Sequence, residues 1–258
     1  MTAVLELSNI TVRYGEHTVV DDLSVTLEAG QWLMLCGPNG AGKSSLISAI
    51  SQAAPSRGSM RLDGKDLRRM KPAQIARKIG VLAQKNDVGY DYTVEEIVSL
   101  GRYAHASGFL AGRDRDSEER IAHALELTGL ESLRRASVLT LSGGELQRTF
   151  LAQVFAQDPQ LLILDEPANH LDLVYQKHIF TLIGQWLEQP GRAVISVVHD
   201  LSLARRYGTH AVLMDQGKSV AQGEISAVLT PANLQSVYNM DVAGWMREML
   251  GLWEEGDA

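Results

Sequence analysis

A chain of 258 residues, 45% of them hydrophobic, can bury a large core, either as one large domain or as a domain with a sizeable insertion. Its 24 basic and 31 acidic side chains leave a formal charge of −7, which disfavours broad attraction to nucleic acid, and one cysteine excludes an internal disulfide or a cysteine-based metal cluster. No apolar run approaches the roughly 20 residues that span a bilayer, and the first residues, Glu6 among them, lack a signal-peptide pattern, so the expected location is cytosolic or docked on a membrane from the cytosolic side.

From Leu5 to Leu27 apolar residues alternate with polar ones, the period of half-buried strands, and an antiparallel sheet is the natural expectation. Tyr14 and Gly15 fall between two of these strands, where the ring is either a loop anchor or a flat surface for a nucleotide base. Trp32 to Cys36 then forms a short apolar run of buried-strand type, followed by Gly37-Pro38-Asn39-Gly40-Ala41-Gly42-Lys43-Ser44 and a helical stretch from Ser45 to Ile50. Strand, glycine loop and helix in this order are the setting of a phosphate-binding loop. Gly37, Gly40 and Gly42 bring backbone N–H groups close to phosphate oxygens, and the helix aims its positive end at the same anion. Lys43 would reach the β- and γ-phosphates, and Ser44 would hold a magnesium ion. Cys36 is expected to fill the core beneath the loop. Met60 to Asp66 has the Asp-Gly signal of a hairpin, and Ile79 to Ala83 is a further buried strand ended by Gln84.

Beyond Gln84 the signals become helical. Thr93 with Glu96, Asp116 with Glu119 and Ser142 with Glu145 all have capping-box spacing, and Ile121, Ala124, Leu125 and Thr128 share one helical face that meets Gly129. Gly108 to Arg115 is expected as an exposed loop, and the whole stretch as a helical subdomain inserted in an α/β core. Leu141-Ser142-Gly143-Gly144-Glu145 opens a helix with two glycines after a serine, a second anion-binding end. It must either fold back onto the first loop or reach a nucleotide on another subunit.

Buried strands return at Leu161 to Asp165, followed by Glu166, and at Val194 to Val198, followed by His199 and Asp200; Ala211 to Met214 precedes a Gln216-Gly217 turn. Apolar runs alternating with helices predict parallel strands covered on both faces, with ligands gathered at their carboxyl ends, where Cys36, Gln84, Glu166 and His199 all stand. Asp165 is placed to hold magnesium, and Glu166 to orient or deprotonate an attacking water. The Gln84 amide could touch metal and water together, whereas His199 is either a structural strand end or a participant in the chemistry. Past Gln222 the chain is helical and amphipathic, and its stripe of Trp245, Met246, Met249, Leu250 and Trp253 is either core packing or a docking face.

Taken in order, these motifs resemble the ATP-binding cassette family over about residues 3–235. Gly37 to Ser44 is similar to its Walker A motif, Leu161 to Glu166 to its Walker B motif, and Leu141 to Glu145 to its signature. Tyr14 matches the adenine-stacking aromatic, Gln84 the Q-loop, Asp172 in Asn169-His170-Leu171-Asp172 the D-loop, and His199 the switch histidine. The resemblance implies an α/β fold: a P-loop NTPase core of RecA type with an N-terminal antiparallel β subdomain and an inserted helical subdomain. The expected boundaries are 1–88 and 159–235 for the core, 89–158 for the helical subdomain and 236–258 for a helical tail. It also implies a head-to-tail homodimer in which Ser142, Gly143, Gly144 and Glu145 of one copy close over ATP held by the other, with Asp172 at the seam. Tyr14 and Gly37 to Ser45 would bind the ATP, including Pro38, Asn39, Ala41 and Ser45. Lys43, Gln84, Glu166 and His199 would serve catalysis, and Ser44, Gln84 and Asp165 the Mg2+ ion.

Finer likeness points to importers of iron chelates, haem and cobalamin, through Thr93 to Val98, Gly101 to His105, Asn169 to Asp172, His199 to Tyr207 and Leu229 to Leu234. Iron-siderophore is the first expectation for cargo, with haem or cobalamin as alternatives. The resemblance implies separate permease subunits, an indirect link to a substrate-binding protein and a peripheral place at the cytoplasmic face of the inner membrane. A cytosolic family ATPase acting on nucleic acid is the rival from another class; the long coiled coil, zinc hook or paired cassettes usual there are not seen, and no nucleic-acid partner is expected. Two positions depart from the pattern: Ala168 stands where threonine or serine is usual, and the tail after Val242 is unlike the usual ending.

Overall fold

Period-two apolar patterning and paired turn residues build the outer strands, runs of consecutive apolar residues build the buried ones, and several helices start where a Thr, Ser or Asp side chain caps them. The computed structural model describes residues 3–83, 89–105, 115–169 and 171–254; Gln84 and residues 108–114 of the loop expected over Gly108 to Arg115 lie outside them, while Arg115 itself is helical. In chain order the first elements are β1 (Ala3–Tyr14), β2 (His17–Glu28), β3 (Trp32–Cys36), α1 (Lys43–Ile50), β4 (Ser56–Leu62), β5 (Lys65–Asp66), α2 (Pro72–Ala76) and β6 (Ile79–Leu82). Next come α3 (Val94–Leu100), α4 (Arg115–Leu127), α5 (Gly143–Gln157), β7 (Leu161–Asp165), α6 (Leu173–Leu187) and β8 (Ala193–Val197). The described chain closes with α7 (Leu201–Tyr207), β9 (His210–Asp215), β10 (Lys218–Glu224), α8 (Ile225–Val228), α9 (Pro231–Tyr238) and α10 (Val242–Glu254).

The chain divides into two compact units, one of Met1–Glu6, Thr26–Trp32 and Ser59–Val197, the other of Leu7–Val25, Leu33–Gly58 and Val198–Ala258. In the first unit β6, β7 and β8 pair in parallel, with Ile79 opposite Leu161 and Leu161 opposite Ala193. Leu161 to Leu164 and all of β8 are buried, which is why these strands are apolar at nearly every position, Ser196 excepted, instead of alternating. Arg61 and Leu62 of β4 pair antiparallel with Asp66 and Lys65, and Asp63 (φ 49°) with Gly64 (φ 71°) makes the left-handed turn that the Asp-Gly pair predicts.

Helices α3, α4 and α5 pack on one another in this unit, with Val94, Ile97, Ile121, Ala124, Leu125 and Leu151 buried. Thr93 caps α3 through a reciprocal box with Glu96, as its spacing predicts. Asp116 behaves otherwise than expected. Helix α4 begins at Arg115, so Asp116 lies inside the first turn, where its carboxylate accepts from Arg102 at 2.7 Å and pairs with Arg120 at 3.5 Å. Arg102 is far away in sequence, so a local pattern could not weigh that pull.

Trp32 anchors the first unit's core. Its ring stacks on Phe180 with centroids 5.5 Å apart, and its indole N–H donates to the buried Ser196 hydroxyl at 2.8 Å. Nearby, Trp186 stacks on Phe155 and carries the Arg192 guanidinium 4.4 Å above its ring. Arg192 also donates to Asp158, the left-handed residue that ends α5.

In the second unit β3 pairs in parallel with β9, and β9 turns back into antiparallel β10 through Gln216 (φ 45°) and Gly217 (φ 81°). Of the stripe expected in the tail, Met246 and Leu250 line an apolar groove of about 560 Å³ with α7 and α9, and Trp245, Met249 and Leu250 are largely exposed, so it is not core packing; the Trp253 side chain lies outside the described residues.

Replacing Phe180 by Ala should destabilise the protein by about 3–5 kcal/mol through lost packing against Trp32. Ser196→Ala, which removes the indole's hydroxyl acceptor, should cost about 1–3 kcal/mol. Urea unfolding monitored by tryptophan fluorescence checks both.

Candidate active site

Complete burial of β3 sets the phosphate loop at a fixed height, because the strand ends directly in Gly37. A Cβ on Gly37 (φ 137°) would lie 2.1 Å from the Met214 carbonyl oxygen, and one on Gly42 (φ 98°) would lie 2.4 Å from that of Val19. Both positions therefore demand glycine for space as well as for backbone conformation. Gly42 is the residue before α1, the Ala41 carbonyl accepts from Gly217 N–H at 3.2 Å, and Leu46 N–H bonds back to the Gly42 carbonyl at 2.9 Å. Lys43 is buried, and its ammonium donates to the carbonyls of Gly37 at 2.7 Å and Pro38 at 2.8 Å, which holds the cation under the loop that surrounds it. Asn39, Gly40 and Ser44 are exposed and Ser45 is half-buried, so the loop presents its crest and the first turn of α1 outward.

Three further groups belong to this second unit. Tyr14 ends β1 half exposed, immediately before the left-handed Gly15. His199 is exposed just beyond Val198, whose N–H donates to Leu35 of β3 at 3.4 Å, so one strand end tracks the other. Asp200 then caps α7 by accepting from the N–H groups of Ser202 at 2.7 Å and Leu203 at 3.2 Å. Tyr238 of α9 was not singled out by the sequence. Its phenol is pushed up to about 12 by burial and by Cys36, and it makes a hydrogen-bonding contact with the Gly37 backbone. Nothing in the local sequence distinguishes it from other aromatic residues on amphipathic helices. Burial, opposed more weakly by Lys43, pushes the Cys36 thiol up to about 12 as well, so it is a protonated core group as expected.

The first unit carries the acidic and signature elements. Asp165 closes β7 half-buried, and Glu166 follows with φ 53°, a left-handed conformation unusual for a residue with a long side chain. Four hydrogen bonds fix this corner. Glu166 N–H donates to Val197 at 3.2 Å, Asn169 N–H donates to the Glu166 carbonyl at 3.1 Å, the Asn169 amide donates to Glu166 Oε2 at 2.6 Å, and the Gln147 amide donates to the Pro167 carbonyl at 2.9 Å. Ala168 is buried beside them.

Ser142 caps α5 in the reciprocal box its spacing predicts: its backbone N–H and hydroxyl donate to Glu145 at 2.8 and 2.7 Å, and its hydroxyl accepts from Glu145 N–H at 3.3 Å. The backbone bond from Ser142, with help from its hydroxyl, holds the Glu145 carboxyl below its ordinary range. A Cβ on Gly143 would meet open space, whereas one on Gly144 would lie 3.2 Å from the Tyr175 ring. Asp172 caps α6 through Tyr175 N–H at 3.0 Å and leaves the next two side chains, Leu173 and Val174, 82% and 76% exposed. The structure thus gathers Asp165, Glu166, Asp172 and the Ser142–Glu145 turn in one unit, and Tyr14, Gly37–Ser45 and His199 in the other; Gln84 lies outside the described residues. No group of three or more His, Cys, Asp or Glu side chains able to hold a metal occurs among the described residues.

A glycine cradle closed by a buried lysine, with paired carboxylates ending a buried parallel strand, defines a P-loop ATPase. This chain belongs to the ABC transporter family, to which its residues 20–169 match. It is 36% identical over 239 residues to the ferric enterobactin transport ATP-binding protein FepC of Escherichia coli (strain K12), covering 92% of this chain and 88% of that one. It is 40% identical over 245 residues to the hemin import ATP-binding protein HmuV of Pseudomonas entomophila (strain L48), covering 93% and 94%. Its fold superposes on the ADP conformation of MJ1267, an ATP-binding cassette of an ABC transporter, with a TM-score of 0.81 at 23% identity, over 92% of this chain and 99% of that one.

Gly42→Ala should weaken binding of a fluorescent ATP analogue by about 10-fold or more, since the methyl group meets the Val19 carbonyl at a strained φ. Cys36 should resist iodoacetamide in the folded protein at pH 8 and react fully in denaturant, because a thiol raised to about 12 stays protonated there. Mass spectrometry reads that difference directly.

Proposed function

We propose that this chain is the ATPase subunit of a membrane importer, working as two copies beneath separate permease subunits. The observation that carries this reading is the likeness to transport and import ATP-binding proteins over nine-tenths of the chain. No helix among the described residues is long and apolar enough to cross a membrane, in keeping with a permease supplied by other chains and a peripheral place at the cytoplasmic face of the inner membrane. An iron-siderophore complex is the first choice of cargo, in line with the ferric enterobactin relative, with haem or cobalamin as the alternative. A substrate-binding protein would join the system only through the permease.

In this reading Tyr14 stacks on the adenine, and the backbone N–H groups from Gly37 to Ser45 with the Lys43 ammonium hold the phosphates. Ser142, Gly143, Gly144 and Glu145 of the second copy close over the same nucleotide, and Asp172 lies at the seam. Ser44, Asp165 and Gln84 would hold Mg2+; a hydroxyl, a carboxylate and an amide are the oxygen donors a hard cation accepts, few enough to leave positions for phosphate and water. When bound, the ion neutralises charge on the phosphate oxygens. Glu166 orients or deprotonates the attacking water, and His199 and Gln84 complete its surroundings. Phosphoryl transfer asks for little covalent work from protein, so catalysis here is positioning and charge stabilisation. Closing the dimer over two ATP molecules would move the permease, and hydrolysis would release it.

Glu166→Gln should keep ATP binding and accumulate an ATP-bound dimer on size-exclusion chromatography, while steady-state turnover falls about 100-fold or more. Near-normal turnover in that variant would remove Glu166 from the role of base, and an ATP-loaded protein that stays strictly monomeric would refute the paired mechanism.

A further inference from the structure

The corner that carries Glu166 is braced from two sides. From within, Asn169 donates to Glu166 Oε2 at 2.6 Å and to its carbonyl at 3.1 Å. From outside, Gln147 of α5 donates to the carbonyl of Pro167, the residue directly after Glu166, at 2.9 Å. Gln147 lies little more than one turn from Ser142, the cap of the same helix. The first two turns of α5 touch the far end of this segment too: Gly144 leaves room only for the Tyr175 ring, Arg148 stands 5.9 Å over that ring, and Tyr175 N–H donates to Asp172. The helix opened by Ser142 therefore grips both ends of the stretch from Pro167 to Tyr175.

A left-handed backbone at a non-glycine residue persists only where its surroundings over-determine it. Glu166 is such a residue, and the Gln147–Pro167 bond attaches the peptide that follows it to a second element. A shift of α5 along its axis would be felt at that carbonyl first and would turn the Glu166 carboxylate with it, because Asn169 fixes that carboxylate to the same loop.

We propose that Gln147 is a positioning residue that sets the Glu166 carboxylate from the signature helix, through the Pro167 carbonyl and the loop closed by Asn169. The inference rests on the paired-copy reading above. There the Ser142 end of α5 serves the nucleotide of the second copy, whereas Glu166 serves the nucleotide of its own. Gln147 then links two nucleotides that share no direct contact, and its bond supplies part of the cooperativity between them.

The test uses full-length protein with Gln147→Glu, nearly isosteric but without a donor, and Gln147→Lys, which keeps a donor of sufficient reach. For Gln147→Glu we expect kcat to fall about 10-fold to 100-fold, the Hill coefficient for ATP to drop to about 1, and KM, fluorescent-ATP affinity and melting temperature to stay near wild type. Gln147→Lys should recover most of the rate and cooperativity. Unchanged kcat and Hill coefficient in Gln147→Glu would overturn the proposal, as would a loss of affinity and melting temperature in parallel with rate, which marks a merely structural contact. Glu166→Gln run alongside separates the levels: if it abolishes turnover and accumulates an ATP-bound dimer while Gln147→Glu is silent, only the Gln147 inference fails; if it leaves turnover intact, Glu166 loses the role of base that the inference needs; and if it stays strictly monomeric with ATP, the paired-copy reading fails.

Discussion

The constraint on which the second unit depends is the approach of bare backbone to bare backbone at Gly37 and Gly42. Neither residue has room for a β-carbon against the carbonyls of Met214 and Val19, and both hold left-handed φ values. This contact lets a loop of eight residues wrap the Lys43 ammonium, with the Gly37 and Pro38 carbonyls turned inward to accept from it. The buried strand β3 below and the β9–β10 turn beside it then have a clear purpose: they keep the cradle from relaxing. The apolar mass around Cys36 follows from the same need, since a loop under this steric demand requires a floor that does not yield.

Much of this architecture was legible in the sequence wherever the cause is local. The spacing of Gly37, Gly40, Gly42, Lys43 and Ser44 specifies a loop whose parts lie within eight residues, and the boxes at Thr93 and Ser142 close over three. The turns at Asp63-Gly64 and Gln216-Gly217 are likewise set by two residues each. What could not be read locally depends on partners remote in the chain. Asp116 was expected to cap a helix but is drawn to Arg102, and Tyr238 reaches Gly37 across some two hundred positions. Gln147 shows the same limit. It stands two residues after a recognisable signature, yet only the fold reveals that its amide ends on Pro167.

The acidic corner at Glu166 combines backbone strain with order. A glycine at position 166 would adopt φ 53° without cost, but it would carry no carboxylate. The protein keeps the carboxylate and holds the backbone by hydrogen bonds from Val197, Asn169 and Gln147, so a conformation of order 1–3 kcal/mol above the ordinary one is maintained by neighbours. Ala168 lies buried in the same corner.

The single cysteine has a practical corollary. Because Cys36 lies sealed in the core as an unreactive thiol, the natural chain already serves as a background for site-directed spin or dye labels, with no residue to be removed first. A cysteine introduced at the outward-facing Leu173 or Val174 would be the one accessible attachment point on each copy. Distances between such labels would report whether two copies pair when ATP is added.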